Sequence, residues 1–213
     1  MKIMMTGFEP FGGESMNPAL EAVRRLPDRV AGAEIVKVEL PTVYGRAGEV
    51  LEEAVRRELP DAVLCVGQAG GRSGILVERV AINLRDARIP DNGGRQPVDE
   101  AVREDGPAAY FSSVPVKRMV AAIREAGIPA FLSYSAGTFV CNDILYSLLH
   151  LAARDYPAMK GGFIHVPYAT EQTVDKPSGT PGMELGTIAR ALERAIGAVV
   201  EAMAEEIAEK RNK

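Results

Sequence analysis

The sequence predicts an α/β protein: a three-layer α/β/α sandwich with helices on both faces of a mixed, mostly parallel, twisted central sheet. Three observations carry this expectation. Short apolar runs of strand length alternate along the chain with stretches whose apolar residues recur at helical period. One of those runs, Gly161–Tyr168 (G-G-F-I-H-V-P-Y), is apolar almost throughout, as parallel strands covered on both faces are. A third, Ile75–Leu84, is followed by a strong turn signal and reads as one arm of a hairpin, so some antiparallel pairing is expected.

Taken in order, Lys2–Thr6 is a short apolar strand that runs into a loop, Gly7–Gly13, carrying two phenylalanines and a glycine pair. Asn17 is a good N-cap and Pro18 suits the first helical position, so Pro18–Leu26 is a helix. Glu34–Leu40 alternates as a strand closed by Pro41, and Tyr44–Leu59 has Ala47, Val50, Leu51, Ala54 and Val55 at helical spacing. Asp61–Gln68 is the next strand and ends on Ala69-Gly70-Gly71, where glycine lets the backbone approach a ligand. No G-x-x-x-x-G-K or G-x-G-x-x-G pattern follows, which argues against a phosphate loop.

The stretch Arg85–Pro115 is less regular. Ile89–Gly94 signals a turn and Gln96-Pro97-Val98 an extended return, giving a hairpin plus a loop long enough to line a site. Lys117–Ala126 is a helix, Ile128–Tyr134 a short buried strand, and a helix from about Cys141 to Tyr156 precedes the Gly161–Tyr168 strand. After a Pro/Gly-rich loop, Asp175–Gly182, the long amphipathic helix Glu184–Glu209 closes the chain, and Lys210–Lys213 are expected to fray.

With 213 residues, no internal repeat and no linker, the expectation is one domain over residues 1–213. Twenty-five basic against 29 acidic residues give a net charge of −4, which offers no basic patch for nucleic acid. No apolar run reaches the roughly 20 residues a membrane span needs. The N-terminus lacks the apolar region and cleavage site of a signal peptide, and a reactive thiol is best kept in a reducing cytoplasm.

Candidate chemistry centres on Cys141. A strand, a turn of small residues (Ser135, Ala136, Gly137, Thr138) and a cysteine in the first turn of a helix follow one another. That position lies among unpaired N–H groups at the positive end of the helix dipole, which favours a thiolate and could hold an oxyanion opposite it. The other cysteine, Cys65, lies in an apolar run and reads as a small buried hydrophobe. The two have no metal-ligand spacing and form no disulfide framework.

A thiolate needs a base that can also protonate a leaving amine, and the chain has two histidines. His150 is nine residues beyond Cys141 on the same helix and points to the opposite side, as a helix-surface residue. His165 lies near the carboxyl end of a buried strand, where α/β proteins place their sites. A carboxylate should orient that imidazole, and Glu78 shares a strand face with Val80, Ile82 and Leu84. Periodicity alone leaves Glu78 evenly divided between this role and a salt bridge to Arg79 or Arg85.

These residues also carry a resemblance. G-F-E-P-F-G-G at Gly7–Gly13, G-Q-A-G-G-R followed by E-R-V-A-I-N-L, then S-A-G-T-F-V-C-N and I-H-V-P-Y resemble, in that order, the motifs of the pyroglutamyl peptidase I family. The resemblance runs from about residue 2 to the end. It implies the same sandwich, and a cysteine peptidase that removes N-terminal pyroglutamate from peptides, with Glu78, Cys141 and His165 matching the family triad. It implies no metal and no cofactor. Oxyanion donors would be the N–H of Cys141 and one near Arg88. Walls for the neutral lactam would come from Phe8, Phe11 and Val140, with polar contacts from Gln68 and Asn17. It also implies a homotetramer, for which Ala189, Ala191, Ala195, Ala198, Ala202 and Ala204 would let a neighbouring helix or subunit approach. Two other classes stand beside it: a glutamine amidotransferase, whose G-x-C-x-G elbow is absent, and a binding protein or nucleoside-phosphorylase-like enzyme, which would not need the triad.

Overall fold

Strands covered on both faces must be apolar on successive residues, and three of them set the middle of this molecule. β1 (Lys2–Phe8), β4 (Ala62–Gln68) and β9 (Lys160–Val166) are buried along almost their whole length. The computed structural model describes residues 1–211. Around those strands it adds β2 (Arg29–Val30), β3 (Ala33–Leu40), β5 (Ile75–Glu78) and β8 (Ala130–Ser133), giving one sheet in the order β2-β3-β1-β4-β9-β5-β8. Pairing is parallel for β1–β3, β1–β4, β4–β9 and β5–β8, and antiparallel for β2–β3 and β5–β9. The sheet is therefore mixed and mostly parallel.

Five helices cover it. α1 (Pro18–Arg25), α3 (Val116–Glu125) and α5 (Leu185–Arg211) pack together on one face. α2 (Arg46–Glu58) and α4 (Val140–Asp155) pack on the other. Asn17 caps α1 by accepting the N–H of Ala19 at 3.0 Å, with Pro18 at the first helical position. Leu59 ends α2 in the left-handed region, at φ 48°, a position usually left to glycine.

The sheet differs from the sequence expectation at Ile75–Leu84. The run is not one strand but two, broken at Arg79. β5 stays in the central sheet, while β6 (Val80–Ile82) leaves it and pairs antiparallel with β7 (Ala109–Phe111). Two distant segments hold the break: Arg79 N–H donates to the Ser133 carbonyl at 2.7 Å, and Ser112 N–H donates to the Arg79 carbonyl at 3.0 Å. The expected hairpin return at Gln96–Val98 makes no strand. Pro97 has no N–H to give, and the return is limited to a bridge between Arg85 and Glu100 and a bond from Ala87 N–H to the Pro97 carbonyl. Antiparallel pairing in the central sheet comes instead from β5 beside β9 and from β2 beside β3.

Three smaller corrections follow from packing. Phe8 lies inside β1, not in the loop after it, because β1 pairs with β3 as far as Phe8–Leu40. β8 is an edge strand rather than a buried one, so Phe131 is exposed there and stacks under the Arg124 guanidinium. On α5, Ala189, Ala191, Ala195 and Ala198 are buried in this chain's own core with α1 and α3, and Ala202 is buried beyond them; of the six alanines only Ala204 is exposed. Their small size serves close packing within the chain. Of the four end residues expected to fray, Lys210 and Arg211 continue α5, and positions 212 and 213 lie outside the described residues.

Candidate active site

α4 begins at Val140, which puts Cys141 in its first turn. Its buried stripe, Ile144, Leu145, Leu148 and Ala152, fixes the helix on the sheet and leaves Cys141, one turn earlier, half-buried at the cleft. Phe139 sits at the N-cap and its side chain caps nothing. The backbone N–H of Cys141 consequently has no hydrogen-bond partner among the described residues and lies at the positive end of the helix. Gly67 explains the space around the sulfur. It lies opposite His165 in the β4–β9 register, and a Cβ there would fall 2.9 Å from Cys141 Sγ and 2.7 Å from the Phe163 ring. Any side chain at 67 would push the thiol out of place.

His165 and Glu78 meet because β5 runs antiparallel to β9. Leu76 is opposite His165 and Glu78 opposite Phe163, so Glu78 and His165 are diagonal neighbours on one face of the sheet. Glu78 Oε1 lies 2.8 Å from His165 Nδ1, with Glu78 0% and His165 7% exposed. The other oxygen of Glu78 is buried without a hydrogen-bond partner among the described residues, so His165 alone answers its charge. Burial, the largest single influence, pulls the His165 pKa down; Cys141 and Glu78, by charge and hydrogen bonding, push it up. The second group prevails, and His165 is raised to about 9. The imidazolium is thus stable through neutral pH, poised to give a proton.

These three side chains share a cleft of about 530 Å³ with Phe11, Gln68 and Arg88. The remaining residues expected in a pocket lie elsewhere. Phe8 is buried in the core beneath the first loop, and Val140 is 1% exposed in the same core cluster. Asn17 uses both ends of its amide for structure, its Nδ2 donating to the Glu9 carbonyl at 3.1 Å while Oδ1 caps α1. It therefore steadies the loop that carries Phe11 without lining the cleft.

Other cleft residues were not singled out from the sequence. Phe139 faces Phe11, ring centroids 6.0 Å apart, and Tyr44 meets Phe139 edge-on at 5.6 Å. The place of Phe139 two residues before Cys141 was the available signal. Tyr168 lines the far side, packed on Gly70, where a Cβ would come within 2.2 Å of the ring. Gly70 thus admits Tyr168. The Gln68 side-chain oxygen accepts Gln172 Nε2 at 3.1 Å, and Lys176 pairs with Glu14 at 2.6 Å, tying the segment after β10 (Tyr168–Ala169) to the first loop.

The second cysteine and histidine are absent from this cleft. Cys65 is fully buried in β4, and burial pushes its thiol up to about 12, so it stays neutral. His150 is not a plain surface residue as expected. It is half-buried in an aromatic cluster, its Nδ1 3.1 Å from Tyr110 Oη and its ring stacked on Tyr146.

Comparison with known proteins places the whole chain in a family. A pyroglutamyl peptidase family model matches residues 1–202. A pyrrolidone-carboxylate peptidase of Streptococcus suis (strain 05ZYH33) is 57% identical over 201 residues, covering 94% of this chain and 93% of that protein. The crystal structure of pyroglutamyl peptidase I from Bacillus amyloliquefaciens superposes with a TM-score of 0.90 at 49% identity, over 93% of this chain and 94% of its own. A mutant pyrrolidone carboxyl peptidase from the hyperthermophile Pyrococcus furiosus gives 0.91 at 42% identity, over 95% and 99%. With the match running across nearly all of the sequence and the fold alike, this chain belongs to the pyroglutamyl peptidase family.

Proposed function

We propose that this protein is a cysteine peptidase that removes N-terminal pyroglutamate from peptides, through a Cys141–His165–Glu78 triad and a thioester intermediate. The observation that carries this reading is the buried 2.8 Å contact of Glu78 with a His165 whose pKa is raised beside Cys141, at the open N-terminus of α4. The Cys141 thiolate attacks the pyroglutamyl carbonyl carbon, and the electron pair displaced onto oxygen is held by N–H groups at that helix end. His165 passes its proton to the leaving amine as the C–N bond breaks. The thioester left on Cys141 is then attacked by water, which His165 deprotonates, and pyroglutamate departs as the thiolate returns. Glu78 fixes the imidazole tautomer and stabilises its charged form.

Recognition must suit a flat, neutral lactam. Phe11 and Phe139, packed on each other, offer an aromatic wall, and Gln68 offers polar groups beside it. Proline has a ring of similar size but a basic amine in place of the amide. A site with buried hydrogen-bonding groups rejects such an analogue by about 10^4-fold or more. The test is hydrolysis of a pyroglutamyl-amide chromogenic substrate beside its prolyl counterpart. Strong preference for the first is expected, and comparable kcat/KM for both would exclude this pocket.

A homotetramer in the cytoplasm completes the reading. Exposed Phe131 and Tyr134 on and beside edge strand β8 support association, and a reducing compartment would keep Cys141 as a thiol. Light scattering across a dilution series checks the assembly, and a monomer at every concentration would remove it.

A further inference from the structure

The residues that follow the nucleophile do not face the cleft, yet they are the most fully bonded polar groups on α4. Asn142 is 1% exposed, and its amide is completely engaged with one segment: Oδ1 accepts the Ile82 N–H at 3.0 Å, and Nδ2 donates to the carbonyls of Ile82 and Leu84 at 2.9 and 3.0 Å. Asp143 is 0% exposed; its Oδ1 accepts Arg85 Nε at 2.6 Å and its Oδ2 accepts the Gly45 N–H at 3.2 Å. On the other side of Cys141, Thr138 Oγ1 donates to the Asp86 carbonyl at 2.7 Å, and Asp86 N–H returns a bond to the Thr138 carbonyl at 3.2 Å. Residues 82 to 86 are therefore fastened to the turn that carries the nucleophile, from both sides of it.

That segment leads directly into Arg88, which lines the cleft and whose backbone N–H has no hydrogen-bond partner among the described residues. An oxyanion site built from N–H groups on two separate segments works only if their spacing is held within about half an ångström. We infer that Asn142, with the Asp143–Arg85 pair, is a positioning element: it sets the distance between Cys141 and the Arg88 backbone so that both N–H groups meet one oxyanion. The clamp touches no substrate and acts through the segment it holds. This rests on the acyl-transfer reading above and adds to it the residues that set the second donor.

The test separates oxyanion stabilisation from nucleophile reactivity. Alkylation of Cys141 by iodoacetamide displaces iodide and forms no oxyanion, whereas amide hydrolysis does form one. In Asn142→Ala and, separately, Arg85→Gln, kcat for a pyroglutamyl amide should fall by about a hundredfold, the usual effect of losing one oxyanion donor. KM and the iodoacetamide rate should stay within about threefold of the parent protein. The aldehyde analogue of pyroglutamate, which Cys141 would add to as a hemithioacetal, should lose affinity by about the same factor as kcat, while 2-pyrrolidone should not. If Asn142→Ala does not fold, Arg85→Gln decides alone. Unchanged kcat in a folded variant overturns the inference, as does an equal fall in kcat and in iodoacetamide rate. An inactive parent protein would instead overturn the acyl-transfer reading, so the two failures are distinguishable.

Discussion

The chain has two cysteines and two histidines, and one of each lies on either side of a clear physical divide. Cys141 and His165 sit at element ends, a helix N-terminus and the carboxyl end of a strand, where unpaired N–H groups and a carboxylate are at hand. Cys65 and His150 sit within elements, one sealed in β4 and the other among tyrosines along α4. The same side chains differ in charge accordingly. Burial dominates at Cys65, outweighing a hydrogen bond with Thr6, and keeps it neutral, whereas His165 is buried too and still rises to about 9, because Cys141 and Glu78 face it. Position relative to element ends, more than residue type, separates the candidate reactive groups from the packing groups.

The largest effects expected are those that remove the first pair. Cys141→Ser and His165→Ala should fold and lose at least about ten-thousandfold in kcat, measured on a pyroglutamyl amide. Retained turnover in either would erase the division. Glu78→Gln should cost kcat by up to about ten-thousandfold with little change in KM, since the imidazolium loses its stabiliser while the shape is kept.

The same variant sharpens the charge argument. His165 is protonated below its pKa, so kcat/KM should fall as pH rises through about 9. Glu78 is one of the groups that raise that pKa, and its removal should shift the alkaline limb to lower pH. A limb that does not move would show that Cys141 alone sets the charge on His165.

A smaller effect tests the space rather than the charge. Gly67→Ala places a methyl 2.9 Å from Cys141 Sγ, and a thiol displaced by under an ångström should lose on the order of a hundredfold in kcat. Full activity would mean the sulfur has room to yield. At the bottom of the ranking, Cys65→Ser and His150→Ala should each change activity by less than about tenfold. Cys65→Ser should lower thermal stability by about 1–3 kcal/mol, the usual cost of burying a poorly paired hydroxyl.

How much of this was legible in the sequence depends on which contacts are local. The nucleophile, its turn and the start of α4 are contiguous, and the helical wheel was enough to turn His150 away from Cys141. Glu78 was undecided, because its partner is settled by a β5–β9 register between segments 87 residues apart. The break at Arg79 was invisible for the same reason: Ser112 and Ser133 make it. Phe8 sits in the first motif and Asn17 shortly after it, but a motif does not say which side chains turn inward to hold a loop and which face a ligand. Gly67 needed the structure, since only the neighbouring strand and α4 show what its missing side chain leaves room for.

The most direct measurement of the central claim is limited alkylation of the native protein with iodoacetamide, sites mapped by mass spectrometry and pyroglutamyl-amide hydrolysis followed in parallel. Modification at Cys141 alone, activity lost in proportion to it, and protection of both by 2-pyrrolidone are the predicted result. Activity that survives full alkylation of Cys141, or labelling of Cys65 ahead of it, would contradict the account.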